Sequence, residues 1–288
     1  MQFTNILSLF DGISCGQVAL QRAGIEYENY FASEIEEFSI KVTQHHFPKT
    51  IQLGDVTKIK GEDLPQIDLL IGGSPCQSFS KSGNGLGFDG KSGLFYEFVR
   101  ILNEVKPKYF LLENVLMKKE WEYEITKELG ISPIQIDSAL VSAQRRKRLY
   151  WTNIKTKKVG LFGIPVCDIP QPEDKKIMLS DILEDLPFRD IPNFAYKNFG
   201  KKQRIADMNK VGNDKANTLT TSHSHTSQYL LNKTKLRTFS ISEYEKLQTL
   251  PENYTSQVPT RNKQNRFKAV GNGWTVDVIA HIFKYLKE

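Results

Sequence analysis

Residues 67–80 read IDLLIGGSPCQSFS, an apolar run of strand length followed by a Pro-Cys pair set in glycine and serine. Three further runs of the same kind, Thr4–Leu9 (TNILSL), Asn29–Ser33 (NYFAS) and Tyr109–Leu112 (YFLL), read as buried strands. Between them Gly16–Arg22, Ile35–His46 and Leu94–Val105 carry apolar residues at helical spacing, punctuated by Gly, Pro or acidic residues. Strands alternating with helices predict an α/β fold in which a parallel sheet is covered on both faces. Such sheets bind ligands beyond the carboxyl ends of their strands, so Cys76, just past IDLLI, is expected at the functional edge.

Composition sets the bounds of that reading. The 288 residues are enough for one large domain and a smaller one, and 39% hydrophobic with 25% charged residues is an ordinary globular mixture. Lys and Arg exceed Asp and Glu by 39 to 33, which favours an anionic partner without specifying one. The three cysteines, Cys15, Cys76 and Cys167, are far apart and make no CxxC or His-paired spacing, so neither zinc nor any other metal is expected. The opening MQFTNILSLF has neither a basic leader nor a long apolar core, and no stretch approaches the roughly 18 apolar residues of a membrane span. A soluble, cytoplasmic protein is the expectation.

The turn after the first strand, FDGISCG at 10–16, has glycines that would let backbone approach a ligand at a helix N-terminus, although a glycine turn after a strand is often only a turn. Glu34 after NYFAS and Asp55 in LGDVT place carboxylates at two further strand ends, where such groups hold ribose hydroxyls or an adenine amine; each also fits a surface cap. Together they describe a nucleoside cofactor site with no phosphate loop, because GxxxxGK[ST] is absent. The strand YFLL leads into Glu113-Asn114-Val115, and SAQRRKRLYW at 142–151 supplies a run of basic side chains. A lone cysteine is usually inert and a basic run usually solvated. On one edge, however, a thiol, an acid and guanidinium groups suit attack on a ring that is protonated as it reacts, and basic surroundings favour the thiolate.

With those residues in view the chain resembles the DNA (cytosine-5)-methyltransferases. LSLFDGISCG, GDVT, GGSPCQSFS, LLENV, QRRKRLYW and the C-terminal RTFSISEYEKLQTLP with AVGNGWTVDVIAHIF match that family's motifs in order, leaving out only about 161–235. LSLFDGI, IGGSPC and the Gly-x-x-Trp-x-Val near the C-terminus are most similar to the animal de novo enzymes and their bacterial or phage counterparts. The resemblance implies a Rossmann-like S-adenosylmethionine-dependent methyltransferase fold with a small target-recognition domain. It implies methyl transfer to C5 of cytosine in double-stranded DNA by base flipping, with Cys76 as the nucleophile that adds to C6. Glu113 then matches the acid at N3 and the exocyclic amine, Arg146 and Arg148 the arginines that brace the pocket and contact the cytosine oxygen, and Asn114 a residue that orients the catalytic loop. For the cofactor, S-adenosyl-L-methionine, Phe10 would lie against the adenine, Gly12, Ile13 and Ser14 near the methionine portion, Glu34 on the ribose, and Asp55 with Val56 on the adenine. Asn272 and Trp274 match the motif that closes over the methionine end, where Trp274 departs from the usual bacterial pattern.

Base flipping is expected to need a mobile lid, and SFSKSGNGLGFDGKSG at 78–93 has the composition for one, with Lys81 or Ser82 entering the duplex. Residues 161–235 fall where the family recognises its target sequence: Lys201, Lys202 and Arg204 suit phosphates, and Thr220, Thr221, Ser222 and His223 suit base edges, although the stretch also reads as a polar loop. The expected division is a catalytic domain of residues 1–160 plus 236–288, with its C-terminal helix returning near the first strand, and a recognition domain of 161–235. A tRNA cytosine-5 methyltransferase would share the chemistry and stands as the alternative. A monomer in a bacterial or phage-infected cell is expected, and a cognate restriction endonuclease is a candidate partner.

Overall fold

The structure is a computed structural model that describes residues 2–75, 91–160, 163–190, 208–212, 214–219, 229–233 and 235–287. The chain forms two compact units, one of residues 1–136, 147–171 and 279–288, the other of residues 137–146 and 172–278. These are units of packing, whereas the expected catalytic and recognition domains are a division by role.

In the first unit, seven strands lie in the order β3-β2-β1-β4-β5-β7-β6. They are β1 (Gln2–Leu9), β2 (Glu26–Ser33), β3 (Ile51–Gln52), β4 (Leu69–Gly72), β5 (Tyr109–Val115), β6 (Ile134–Asp137) and β7 (Lys147–Thr152). β1 pairs in parallel with β2 and β4, and β4 with β5. The wholly parallel sheet expected from the alternation is broken at β7, which runs antiparallel to β5. The chain enters β7 from β6 without an α-helix, whereas α1 (Cys15–Arg22), α2 (Glu37–His46) and α3 (Phe95–Val105) join the parallel strands. The short hairpin β8 (Thr156–Val159) with β9 (Ile164–Cys167) completes the strands of this unit.

Period-2 burial builds the core on one face of this sheet. Leu7 and Leu9 of β1, Leu70 of β4, Phe110 and Leu112 of β5, and Leu149 and Trp151 of β7 gather with Phe95, Phe98, Val99, Ile101 and Val105 of α3 and Ile125 of α4 (Lys119–Leu129). Ile6, Leu69, Ile71 and Leu111, which point the other way, are also buried, as both faces of a parallel sheet should be. Trp151 satisfies its indole N–H on Thr126 Oγ1 at 3.0 Å. Helix α3 repeats its apolar residues at Phe95, Phe98, Val99 and Val105 and stops where Lys106 turns left-handed before Pro107. Gly72 lets β4 leave the sheet tightly against α3: a Cβ there would lie 3.0 Å from the Phe98 ring and 3.1 Å from the Leu9 carbonyl.

The strand registers set the positions that matter. Leu9 stands opposite Ser33 and Gly72, and Gly72 opposite Leu112. The residues that follow, Phe10, Glu34, Gly73 and Glu113, therefore come abreast along one edge.

The second unit holds the four-stranded sheet β10-β13-β12-β11 (Arg189–Asp190, Lys235–Thr238, Tyr229–Asn232, Asn209–Lys210) and helices Ile241–Leu247 and Gln264–Asn272. The helix Ile241–Leu247 opens with a reciprocal cap between Ser240 and Glu243. Glu243 also pairs with Arg237 at 2.6 Å, with both side chains closed off from water. Among the described residues no helix is long and apolar enough to cross a membrane.

Candidate active site

The loop from β1 to α1 has an unusual backbone. Phe10, Gly12 and Ser14 all take left-handed conformations, with φ of 58°, 60° and 58°. Glycine adopts this freely, but Phe10 and Ser14 are each strained by about 1–2 kcal/mol, so the surroundings must hold them. Asp11 N donates to the Ser33 carbonyl at 3.0 Å, and Ser14 N to the Asp11 carbonyl at 3.1 Å. Gly12 N donates to Glu34 Oε2 at 2.8 Å. The other Glu34 oxygen takes the N–H groups of Ile35 and Glu36, so this acid is fixed in place at the end of β2 while its remaining lone pairs stay available. Beyond β3, Asp55 caps a single helical turn, accepting from Thr57 N at 3.0 Å and Thr57 Oγ1 at 2.9 Å. These two donors hold its carboxyl below the usual range. Val56 is buried beside it, and its carbonyl accepts from the Arg100 guanidinium of α3 at 3.2 Å.

Phe10, Gly12, Ile13, Ser14, Glu34, Asp55 and Val56 thus all lie in the first unit at the carboxyl ends of β1, β2 and β3. Nothing stands within 4 Å of where a Gly12 Cβ would be, so space remains over the loop for a ligand. That open face, together with the fixed carboxylate of Glu34, fits a nucleoside with hydroxyl groups. Ile13 is fully buried within the loop.

Sequence reasoning passed over Asp11, a half-buried residue whose carboxyl is turned away from water. Its Oδ1 accepts the Tyr30 hydroxyl at 2.9 Å, while Oδ2 is closed off with no hydrogen-bond partner among the described residues. Burial, the largest influence, pushes the carboxyl up to about 6, against the pull of the Ser8, Ser14 and Tyr30 hydroxyls. Tyr30 and the neighbouring Tyr27 are both pushed up by burial, Tyr27 to about 12.

At the middle of the edge, β4 runs into Gly73-Ser74-Pro75, and Cys76 itself lies outside the described residues. Asn114 fixes this turn: its Nδ2 donates to Ser74 Oγ at 3.1 Å and to the Ser74 carbonyl at 3.4 Å, all buried. Asn114 Oδ1 in turn accepts from Val115 N at 2.8 Å. The other two thiols are poor nucleophiles by position, since Cys15 is buried and burial pushes Cys167 up to about 11.

Glu113 was expected just past a strand end, but β5 continues through Val115 because β7 pairs with that extension. Glu113 faces Tyr150 across the ladder, so Arg148 is its diagonal neighbour on the same face. Arg148 Nε reaches Glu113 Oε1 at 3.0 Å, with both side chains only 12% exposed. Arg146, two residues earlier, belongs to the second unit. Its guanidinium donates to the carbonyls of Leu219, Gly271 and Gly273 at 3.1–3.3 Å, so it braces the turn that carries Asn272. Asn272 is exposed there, and Trp274 is half-buried. Gln144 and Gln248, which sequence reasoning did not single out, extend this brace. Gln144 Nε2 donates to Gln248 Oε1 at 2.8 Å, and Gln248 Nε2 donates to the carbonyls of Val270 and Gly273.

Lys81, Ser82, Lys201, Lys202, Arg204, Thr220, Thr221, Ser222 and His223 lie outside the described residues. Among the described residues no three His, Cys, Asp or Glu side chains gather as a metal site would require.

The mostly parallel α/β sheet is a fold shared with solved methyltransferases. The chain superposes on the Entamoeba histolytica methyltransferase EhMeth with a TM-score of 0.76 at 18% identity, covering 99% of this chain and 98% of that one. A DNMT2 variant from Spodoptera frugiperda gives 0.69 at 19% identity, covering 99% and 100%. The profile of the C-5 cytosine-specific DNA methylases matches residues 4–129 and 138–288, and the chain belongs to that family. Among curated relatives, the type II methyltransferase M.NgoBV of Neisseria gonorrhoeae is 34% identical over 205 residues, 69% of this chain and 46% of that protein. The orphan methyltransferase M.Rho11sI of Bacillus phage rho11s is 43% identical over 118 residues, 40% of this chain and 24% of that protein. The matched region spans about a quarter to a half of the length of such relatives.

Proposed function

We propose that this chain transfers a methyl group from S-adenosylmethionine to C5 of cytosine in double-stranded DNA, with Cys76 as nucleophile. The observation that supports the reading is the alignment of Phe10, Glu34, Gly73 and Glu113 along one sheet edge, so that the loop after β1, the Gly73–Pro75 segment that precedes Cys76 in the sequence, and the acid share one row. Phe10, Glu34, Asp55 and Val56 would hold the nucleoside portion of the cofactor, and the Gly12–Ser14 backbone its methionine portion, with Asn272 and Trp274 closing over that end. When bound, the cofactor supplies an electrophilic methyl group.

The chain's own part is to make cytosine nucleophilic. The thiolate of Cys76 adds to C6, negative charge develops toward N3, and Glu113 offsets it there. Arg148 fixes the orientation of Glu113 and itself borders the base, and Arg146 braces the neighbouring backbone. The bond from C6 to sulfur breaks after C5 has taken the methyl group and given up its proton to a base or water. The target cytosine must leave the duplex stack, at a cost of about a few kcal/mol. Residues 78–93 are assigned to closing on it, with Lys81 or Ser82 entering the gap. The role-based division follows: residues 1–160 and 236–288 for catalysis, and 161–235 for target reading, with Lys201, Lys202 and Arg204 on phosphates and Thr220, Thr221, Ser222 and His223 on base edges. Relatives named as orphan and as type II methyltransferases make a cognate restriction endonuclease a partner worth testing.

The deciding experiment offers duplex DNA and tRNA in parallel with radiolabelled cofactor. Label should enter DNA, and a duplex carrying 5-fluorocytosine at the target should trap a covalent complex that Cys76→Ser abolishes. Transfer to tRNA alone would move the reading to an RNA enzyme, and transfer by Cys76→Ala at the native rate would overturn the nucleophile.

A further inference from the structure

The carboxyl of Asp11 is held by hydroxyl groups, those of Tyr30, Ser8 and Ser14, rather than by a cation. Its backbone is pinned by Ser33 and Ser14, its Oδ1 by Tyr30, and its Oδ2 by nothing among the described residues. The ionisable groups that act on it are Glu34 at the end of β2 and the hydroxyls of Tyr30 and Tyr27 within β2. Glu34 adds negative charge, and both tyrosines are driven away from ionisation by burial and by Asp11 itself. The ionised carboxyl therefore sets a negative charge within the Phe10–Ser14 loop itself. Because Oδ2 is closed off, a ligand resting on that loop feels this charge without touching it, through a medium that screens it far less than water does.

We propose that Asp11 is the residue by which this chain prefers the sulfonium form of its cofactor over the thioether left after methyl transfer; the inference rests on the cofactor reading above. The two molecules share their adenosine and amino-acid portions and differ by a methyl group and one unit of positive charge. Hydrogen bonds to the shared portions hold both alike, whereas an anion within the loop favours only the charged one. Once the methyl group has left, the attraction has gone with it, and exchange of spent cofactor for fresh is favoured. Protonating Asp11 erases the preference.

Calorimetric titration of both cofactor forms tests this, using the wild-type chain, Asp11→Asn and Tyr30→Phe at about pH 7 and about pH 5, a window that brackets the carboxyl. In the wild type the ratio of thioether to sulfonium Kd should fall on the order of tenfold between about pH 7 and about pH 5. In Asp11→Asn the ratio should sit at the low value and not change with pH. Tyr30→Phe removes a donor from the carboxylate, so its preference should be lost at a higher pH than in the wild type, which keeps the proposal open to refutation should the asparagine variant fail to fold. A wild type that binds both forms with a ratio unmoved by pH, or an Asp11→Asn chain that keeps the wild-type ratio, overturns the role of Asp11. A wild type that binds neither form overturns the cofactor reading along with it.

Discussion

Glu113→Gln separates the charge of the acid from its shape. In the native chain Glu113 Oε1 and Arg148 Nε lie 3.0 Å apart, and Arg148 has a second acceptor in the Lys147 carbonyl at 2.9 Å. Removing one member of a buried pair outright costs about 3–5 kcal/mol because the survivor is stranded. The amide keeps a neutral oxygen facing the guanidinium, so the loss should be nearer the ~1–3 kcal/mol by which a charged hydrogen bond exceeds a neutral or absent one. Urea unfolding measures that. Methyl transfer should suffer more, by about 10²- to 10⁴-fold in kcat, because the amide cannot supply the proton to N3. Combining Glu113→Gln with Arg148→Met completes a cycle in which the two changes should be strongly non-additive. A Glu113→Gln chain within about threefold of native kcat, or a cycle additive to within about 0.5 kcal/mol, would show that the pair neither acts on the base nor depends on itself.

Asn114→Ala removes both donors to Ser74, so kcat should fall at least about tenfold while cofactor Kd, measured by calorimetry, stays near native; loss of cofactor binding instead would mean that the clamp serves the whole edge. Gly12→Ala meets nothing within 4 Å but keeps a left-handed backbone, so it should fold with a stability lower by about 1–2 kcal/mol and bind cofactor poorly, because the methyl occupies the space over the loop. Asp11 carries a stability prediction of its own. Its folded carboxyl sits at about 6 against 3.8 in an ordinary setting, so the folded chain holds a proton that the unfolded chain releases between those values. The penalty is absent below about pH 4 and complete above about pH 6, on the order of 3 kcal/mol. Asp11→Asn should flatten that decline in thermal melts, and an unchanged slope would place the penalty on other groups.

The strand ends were legible because they are local. Apolar runs at 4–9, 29–33 and 67–71 mark β1, β2 and β4, and Glu34 follows its strand as the alternation required. β7 was hidden inside a basic run, since Lys147 and Arg148 mask the buried Leu149–Thr152 and only pairing with β5 makes a strand of it. β3 has two residues and no period to read. Neighbouring arginines met different fates for a reason no local pattern holds: Arg148 finds an acid across a ladder, whereas Arg146 finds carbonyls more than seventy residues away. The Asn114 bond to Ser74 and the Tyr30 bond to Asp11 are likewise tertiary facts, visible only once residues forty and nineteen positions apart are side by side.

The brace made by Arg146 has a consequence for the order in which the protein can be finished. Residues 137–146 are made before the rest of the second unit, whereas the carbonyls that receive the guanidinium, at 219, 271 and 273, follow 73, 125 and 127 residues later. At roughly 5–20 residues per second the interval is on the order of ten seconds, during which the guanidinium waits for those carbonyls. Translation through residue 273 is thus a condition for completing this brace, and a nascent chain stalled before residue 271 should leave the Arg146 guanidinium open to solvent and to proteases.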